Sequence, residues 1–180
     1  MIAKYINTFN QLVKKLAKKH KTCGVFIKFP EHLAKQFPSL GAHDNSPTHT
    51  TVLYIGEVPE KQKELMKLII KGVVHDFEPF ELSLEEKVSY FEATKNSDGC
   101  KIAKLQIISK DLKKLNKKLN EAFEIAGIKV DNSFPEYKPH TTLAYIKEDK
   151  EYEGKIPKGK FTAHSVFIWG DGCNVEVEIK

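Results

Sequence analysis

Arginine is missing altogether: all 29 basic residues of this 180-residue chain are lysine. Arginine is the side chain suited to clamping a phosphate through two parallel hydrogen bonds. A phosphate bound here must be met by lysine, histidine, hydroxyls or backbone amides. Long nucleic acid is usually gripped by many basic contacts, often including arginine, so a small phosphorylated ligand is at least as natural a partner. Cysteine is scarce, with Cys23, Cys100 and Cys173 far apart and no Cys-x-x-Cys pair. That argues against a disulfide framework and against a zinc site. No apolar run approaches the roughly 18–20 residues of a membrane span. The start, "MIAKYINTFNQLVKKLAKK", lacks the unbroken apolar stretch of a signal peptide. A cytoplasmic chain without a membrane partner is expected.

What is present suffices for a folded core. Hydrophobic residues make up 41% and aromatic residues 10% of the chain, enough for one globular domain or two small lobes sharing a core. The net charge of +5 favours anionic partners without requiring them. Ile6, Phe9, Leu12, Val13 and Leu16 recur at helical spacing among lysines, so residues 1–21 read as an amphipathic helix packed on the body, residues 22–180. A membrane-surface or calmodulin-target role is the alternative for so basic a helix; a solvated lysine face is the simpler account.

"TCGVFIKF" (22–29) reads as a buried strand, and "PEHLAKQF" as a short helix with proline in its first turn. A loop, "PSLGAHDNSPT", leads to the strand "HTTVLYIGEV". Pro59 opens a helix to about Lys71, with Leu65, Leu68 and Ile69 on one face and Gly72 as its stop. A strand over 80–93, the turn "NSDG" and a strand over 100–108 follow. Leu112, Leu115, Leu119, Phe123 and Ala126 then mark the clearest helix, closed by Gly127. The strand "HTTLAYI" comes next, and "FTAHSVFIW" and "NVEVEI" make a final hairpin around "GDG". The half-chain is repeated. That order predicts a pseudo-twofold α+β domain, two small sheets facing across a cleft with helices outside.

The repeat is sharpest at the second strand of each half. From His49 to Glu57, "HTTVLYIGE", and from His140 to Glu148, "HTTLAYIKE", six of nine positions are identical. Side chains alternate along a strand, so His49 and Thr51 share one face while Thr50 and Val52 share the other. His140 and Thr142 stand likewise against Thr141 and Leu143. With Val52 and Leu143 in the core, two imidazoles and two hydroxyls face the cleft. Such a set suits a phosphodiester: a neutral imidazole takes a proton from the attacking oxygen, a charged one protonates the leaving oxygen, and the hydroxyls hold non-bridging oxygens. No metal and no cofactor is needed. Two metal-ligating histidines are the poorer reading, because carboxylate or cysteine partners at suitable spacing are missing.

Two His-x-Thr-x motifs, each ending in an apolar residue and lying 91 positions apart (49 to 140), resemble the signature of the 2H phosphoesterase superfamily, the LigT-like or 2′-5′ RNA ligase-like proteins. "FPEYKPHTTLAYI", with Pro139 before the histidine, is similar to that family's second motif, and "VFIKFPEHLAKQF" to its opening. The resemblance covers about residues 22–180 and leaves the first helix as an addition. It implies a bilobal fold of two antiparallel sheets around a central cleft. It also implies metal-independent cleavage of phosphodiesters, commonly 2′,3′-cyclic, 2′-5′-linked or within cyclic nucleotides. Some phage members resemble this chain in size and destroy the cyclic oligonucleotide messengers of anti-phage immunity (CBASS), which would place the chain in the host cytoplasm.

The expected catalytic residues are His49, Thr51, His140 and Thr142; which histidine is acid and which is base stays open. Tyr137 and Lys138 are placed at the cleft rim as candidate ligand contacts. Trp169 either stacks a nucleobase at the cleft mouth or packs at the lobe interface, and His43 either reaches the cleft or is solvated. Tyr54 and Tyr145, opposite in parity to the histidines, are placed in the core. The expected partner is a nucleotide or cyclic oligonucleotide, or an RNA end, bound by a monomer. Two rival readings are a nucleotide-binding module without turnover and an RNA-binding structural protein using its lysine-rich helices.

Overall fold

The computed structural model describes residues 22–40, 47–94, 97–131, 136–170 and 173–180. The helix expected over residues 1–21 and His43 lie outside these. Eight strands make two four-stranded antiparallel sheets. The first holds β2 (His49–Glu57), β1 (Thr22–Lys28), β7 (Ser165–Trp169) and β8 (Val175–Glu178), in that order. The second holds β5 (His140–Ile146), β4 (Lys101–Ile108), β3 (Phe80–Phe91) and β6 (Lys160–Ala163). The first sheet takes two strands from each end of the described chain, and the second takes the four consecutive strands between them. Each motif strand is the edge strand of its sheet, and the two edges lie against each other.

The described residues also form three helices: α1 (Glu31–Ala34), α2 (Glu60–Val74) and α3 (Lys110–Ile125). In α3 the expected stripe is the buried one, with Leu112, Leu115, Leu119 and Phe123 fully covered. Ser109 caps it, accepting a hydrogen bond from the Leu112 amide, and Gly127 leaves it at φ +68. This helix touches both β2 and β3, bridging the two sheets.

The outcome for α2 differs. Its buried residues are Lys63, Met66, Ile70 and Val74, whereas Leu65 and Leu68 are 45% and 64% exposed and Ile69 is half-buried. Gly72 lies inside the helix, which runs on to Val74. The segment carries apolar residues on more than one face, so periodicity alone cannot choose; contacts with α3 and β8 choose it.

"FTAHSVFIW" is likewise not one strand. It leaves the second sheet as β6 and enters the first as β7, breaking at His164. The buried set slips phase there, from Phe161 and Ala163 to Val166 and Ile168, a one-residue shift that marks the change of sheet. The final hairpin pairs β7 with β8 as expected. At its start, Gly170 (φ +106) lies so close to β1 that a Cβ would fall 1.8 Å from the Thr22 carbonyl oxygen. Only glycine fits, and this close approach fixes the end of β7 that carries Trp169.

Candidate active site

Alternation holds through the motif itself. Thr50, Val52, Thr141 and Leu143 are buried, while His49, Thr51, His140 and Thr142 are half-exposed and line one cavity of about 550 Å³. The pattern then breaks at the same point in both halves. Phe26 pairs with Thr51 but Val25 with Leu53, leaving Val52 as an extra residue; Lys104 pairs with Thr142 but Ala103 with Ala144, leaving Leu143. These matching bulges re-aim the strands just past each motif. They also overturn two placements in the core: Tyr54 is 40% exposed, and Tyr145 is only half-buried.

Edge strands carry outward-facing backbone groups that need partners. On β2 those partners come from the second half of the chain. The Tyr137 hydroxyl donates to the Thr51 carbonyl at 2.8 Å, the Asn116 amide to Val52 at 2.7 Å, and the Asp131 backbone N–H to Ile55 at 3.1 Å. The Thr50 hydroxyl donates to the His140 carbonyl at 2.8 Å, joining the two motif strands directly. Tyr137 is therefore a strut between the motifs. Burial pushes its phenol far above the usual tyrosine range. Replacing it as Tyr137→Phe, or the other side-chain brace of β2 as Asn116→Ala, is expected to lower kcat about tenfold with little change in KM, because shifting a strand that carries candidate site residues costs rate first. Steady-state kinetics beside a melting curve check this.

Both histidines are oriented by the same local device. His49 Nδ1 lies 2.8 Å from the Pro47 carbonyl and His140 Nδ1 lies 2.8 Å from the Lys138 carbonyl. A carbonyl only accepts, so each Nδ1 carries hydrogen and Nε2 is the atom that gains or loses a proton. Burial lowers the proton affinity of His140; the charges of Lys104 and His49 add to this, and the Lys138 carbonyl opposes it.

Each histidine also meets an aromatic ring edge-on. Trp169 stands against His49 at 5.7 Å and Phe91 against His140 at 4.8 Å. Trp169 pairs across from Gly24, and Phe91 from Ile102, so the two rings hold equivalent places in the two lobes. Around Trp169 the first sheet adds Phe26 at 5.2 Å and Phe167 at 6.0 Å. Lys28 lies over Phe167 and Trp169 at 3.5 and 4.9 Å. Lys138 is exposed, paired with Glu136 at 3.0 Å, and is not among the residues that line the cavity. Sequence reasoning missed Phe26, Lys28, Phe91 and Lys104, since cross-strand register is what brings them to the histidines. Among the described residues, no three His, Cys, Asp or Glu side chains gather as a metal site, and no helix is long and apolar enough to cross a membrane.

A family model described as the 2′-5′ RNA ligase superfamily matches residues 27–169. No curated protein sequence matches. Among solved structures, TT0787 of Thermus thermophilus is similar at a TM-score of 0.63 and 15% identity, covering 88% of this chain and 95% of that one. Escherichia coli LigT complexed with 3′-AMP is similar at 0.56 and 18% identity, covering 90% and 97%. Kluyveromyces marxianus Usb1 with uridine monophosphate is similar at 0.59 and 9% identity, covering 88% and 98%. At these identities the likeness is one of fold.

Proposed function

Because the chain belongs to the 2′-5′ RNA ligase superfamily, the 2H phosphoesterases, we propose that it breaks a nucleotide phosphodiester by acid–base catalysis between His49 and His140. The observation that carries this reading is that both histidines and both outward threonines line one cavity from two adjoining edge strands. In the proposed step, the neutral ring accepts the proton of the attacking oxygen at Nε2. The charged ring gives its Nε2 proton to the leaving oxygen, so the pair exchanges one proton without net change. Thr51 and Thr142 donate their hydroxyl hydrogens to the non-bridging oxygens, where negative charge builds up. The attacking oxygen is either a ribose 2′-OH, giving a cyclic phosphate, or water, opening one.

A nucleotide is favoured over another phosphodiester by the rings beside the histidines and by the relatives. LigT is seen with 3′-AMP and with ATP, and Usb1 with uridine monophosphate. Phe26, Phe167 and Trp169 offer a stacking face for a base next to His49. Lys28 over that face and Lys104 in the second sheet supply cations in a chain without arginine. Trp169→Ala is expected to raise KM about tenfold on a nucleotide substrate while changing kcat little, since base stacking is worth about 1–3 kcal/mol.

The test is turnover of 2′,3′-cyclic nucleotides, 2′-5′ adenylates and cyclic oligonucleotides with a chelator present, products identified by mass spectrometry. Release of one phosphate regioisomer from at least one class is expected, and its position tells the two chemistries apart. Saturable nucleotide binding with no product would establish a binding module in place of an enzyme.

A further inference from the structure

Resting on the acid–base reading above, we infer that Lys104 is a positioning residue whose charge adds to burial in keeping His140 neutral, making His140 the general base and His49 the acid. The lobes differ at two rungs around their histidines; at the first, Lys28 stands across from His49 and Gln106 across from His140. Phe26 pairs with Thr51 in the first sheet, and Lys104 pairs with Thr142 at the same place in the second. Lys104 is thus a diagonal cross-strand neighbour of His140, about 7–8 Å away at the backbone and within reach of a long side chain. Its residue is only 9% exposed. The ammonium lies 4.1 Å over the Phe91 ring and donates to the Ser89 hydroxyl at 3.3 Å. Phe91 in turn stands edge-on against His140 at 4.8 Å. Lysine, ring and imidazole form one packed series.

A cation so placed disfavours a second cation on His140. Lys138 is exposed and already paired with Glu136. Glu85 on β3 acts on Lys104 by favouring its charged form, against burial and Lys138, which disfavour it. His49 faces His140 from the other lobe, so its own charge also keeps His140 neutral. Lys28 is the first lobe's counterpart, but it is half-exposed at the end of β1, where water and salt screen it. The two imidazoles share motif, orientation and cavity yet differ in the charge packed behind them.

The experiment is a pH titration of the imidazole C2 protons by NMR on the substrate-free protein, with Lys104→Met, Lys104→Arg and Lys28→Gln. Methionine keeps the stem over Phe91 and removes the charge; Lys104→Gln serves should methionine fail to fold. Without the charge, His140 is expected to protonate at higher pH, with His49 moving less. Arginine should restore the original titration, and Lys28→Gln should leave His140 unmoved. In turnover, Lys104→Met should shift the acidic limb of kcat/KM upward, a loss of about threefold or more at pH 5.5 that fades by pH 8. An unmoved or lowered His140 titration overturns the inference. So does a loss uniform across pH, or movement of the basic limb instead. The NMR arm needs no substrate, so a failed turnover panel would sink the proposed function without touching the role of Lys104.

Discussion

Replacing His49 or His140 by alanine should each lower kcat by about 10²–10⁴-fold while the protein stays folded, because a positioned acid or base contributes that much. Neither ring is a core element. Both are half-exposed, both sit at the first residue of an edge strand, and both line the cavity. The contacts that hold the strands together use backbone: Thr50 reaches the His140 carbonyl, which alanine retains. Truncation therefore removes a proton carrier, its local Nδ1 bond and its edge-on ring contacts, and leaves the bond between the two motif strands in place. The double variant should be little worse than either single one, since acid and base act as a unit. Circular dichroism, melting and single-turnover kinetics decide it. Unfolding of both variants would mark them as packing residues, and activity within tenfold of wild type would remove them from the reaction.

The second large effect separates the two faces of the motif. Thr51→Val and Thr142→Val should each cost about 10²–10³-fold in kcat, the loss seen when one donor to a developing oxyanion is removed. Their melting temperatures should hardly change, as both side chains face the cavity. Thr50→Val is the counterpart one residue away. Its side chain is fully buried and bonded to the His140 carbonyl. Its loss should lower stability by about 0.5–1.5 kcal/mol, with a smaller kinetic effect. Equal kinetic loss at Thr50 and Thr51 would mean that the hydroxyls act by bracing the strands, and the phosphate would have to be held elsewhere.

The site was legible in the sequence as far as local rules reach. Period-two alternation is a property of the strand backbone, so knowing that "HTT" begins a strand sets His49 with Thr51 and Thr50 with Val52. The same reasoning failed three residues later at Tyr54, because the bulge at Val52 depends on how β1 pairs with β2. Phe26, Phe91 and Lys104 carry no motif, and only cross-strand register brings them to the imidazoles. Tyr137 was placed near the cleft from its position in the chain, but its bond to Thr51 spans 86 residues and has no local signature.

The chain's own pattern determined the strands and helices, the repeated half, the paired His-x-Thr faces and the α3 stripe, since each follows from backbone geometry acting within a few residues. Tertiary structure decided which strands share a sheet, the crossing at His164, the buried face of α2 and the exposure of Tyr54. It also decided that Lys104 stands across from Thr142 where Phe26 stands across from Thr51. Those outcomes are set by contacts between segments far apart in the chain, where packing selects among arrangements that local preference leaves equal.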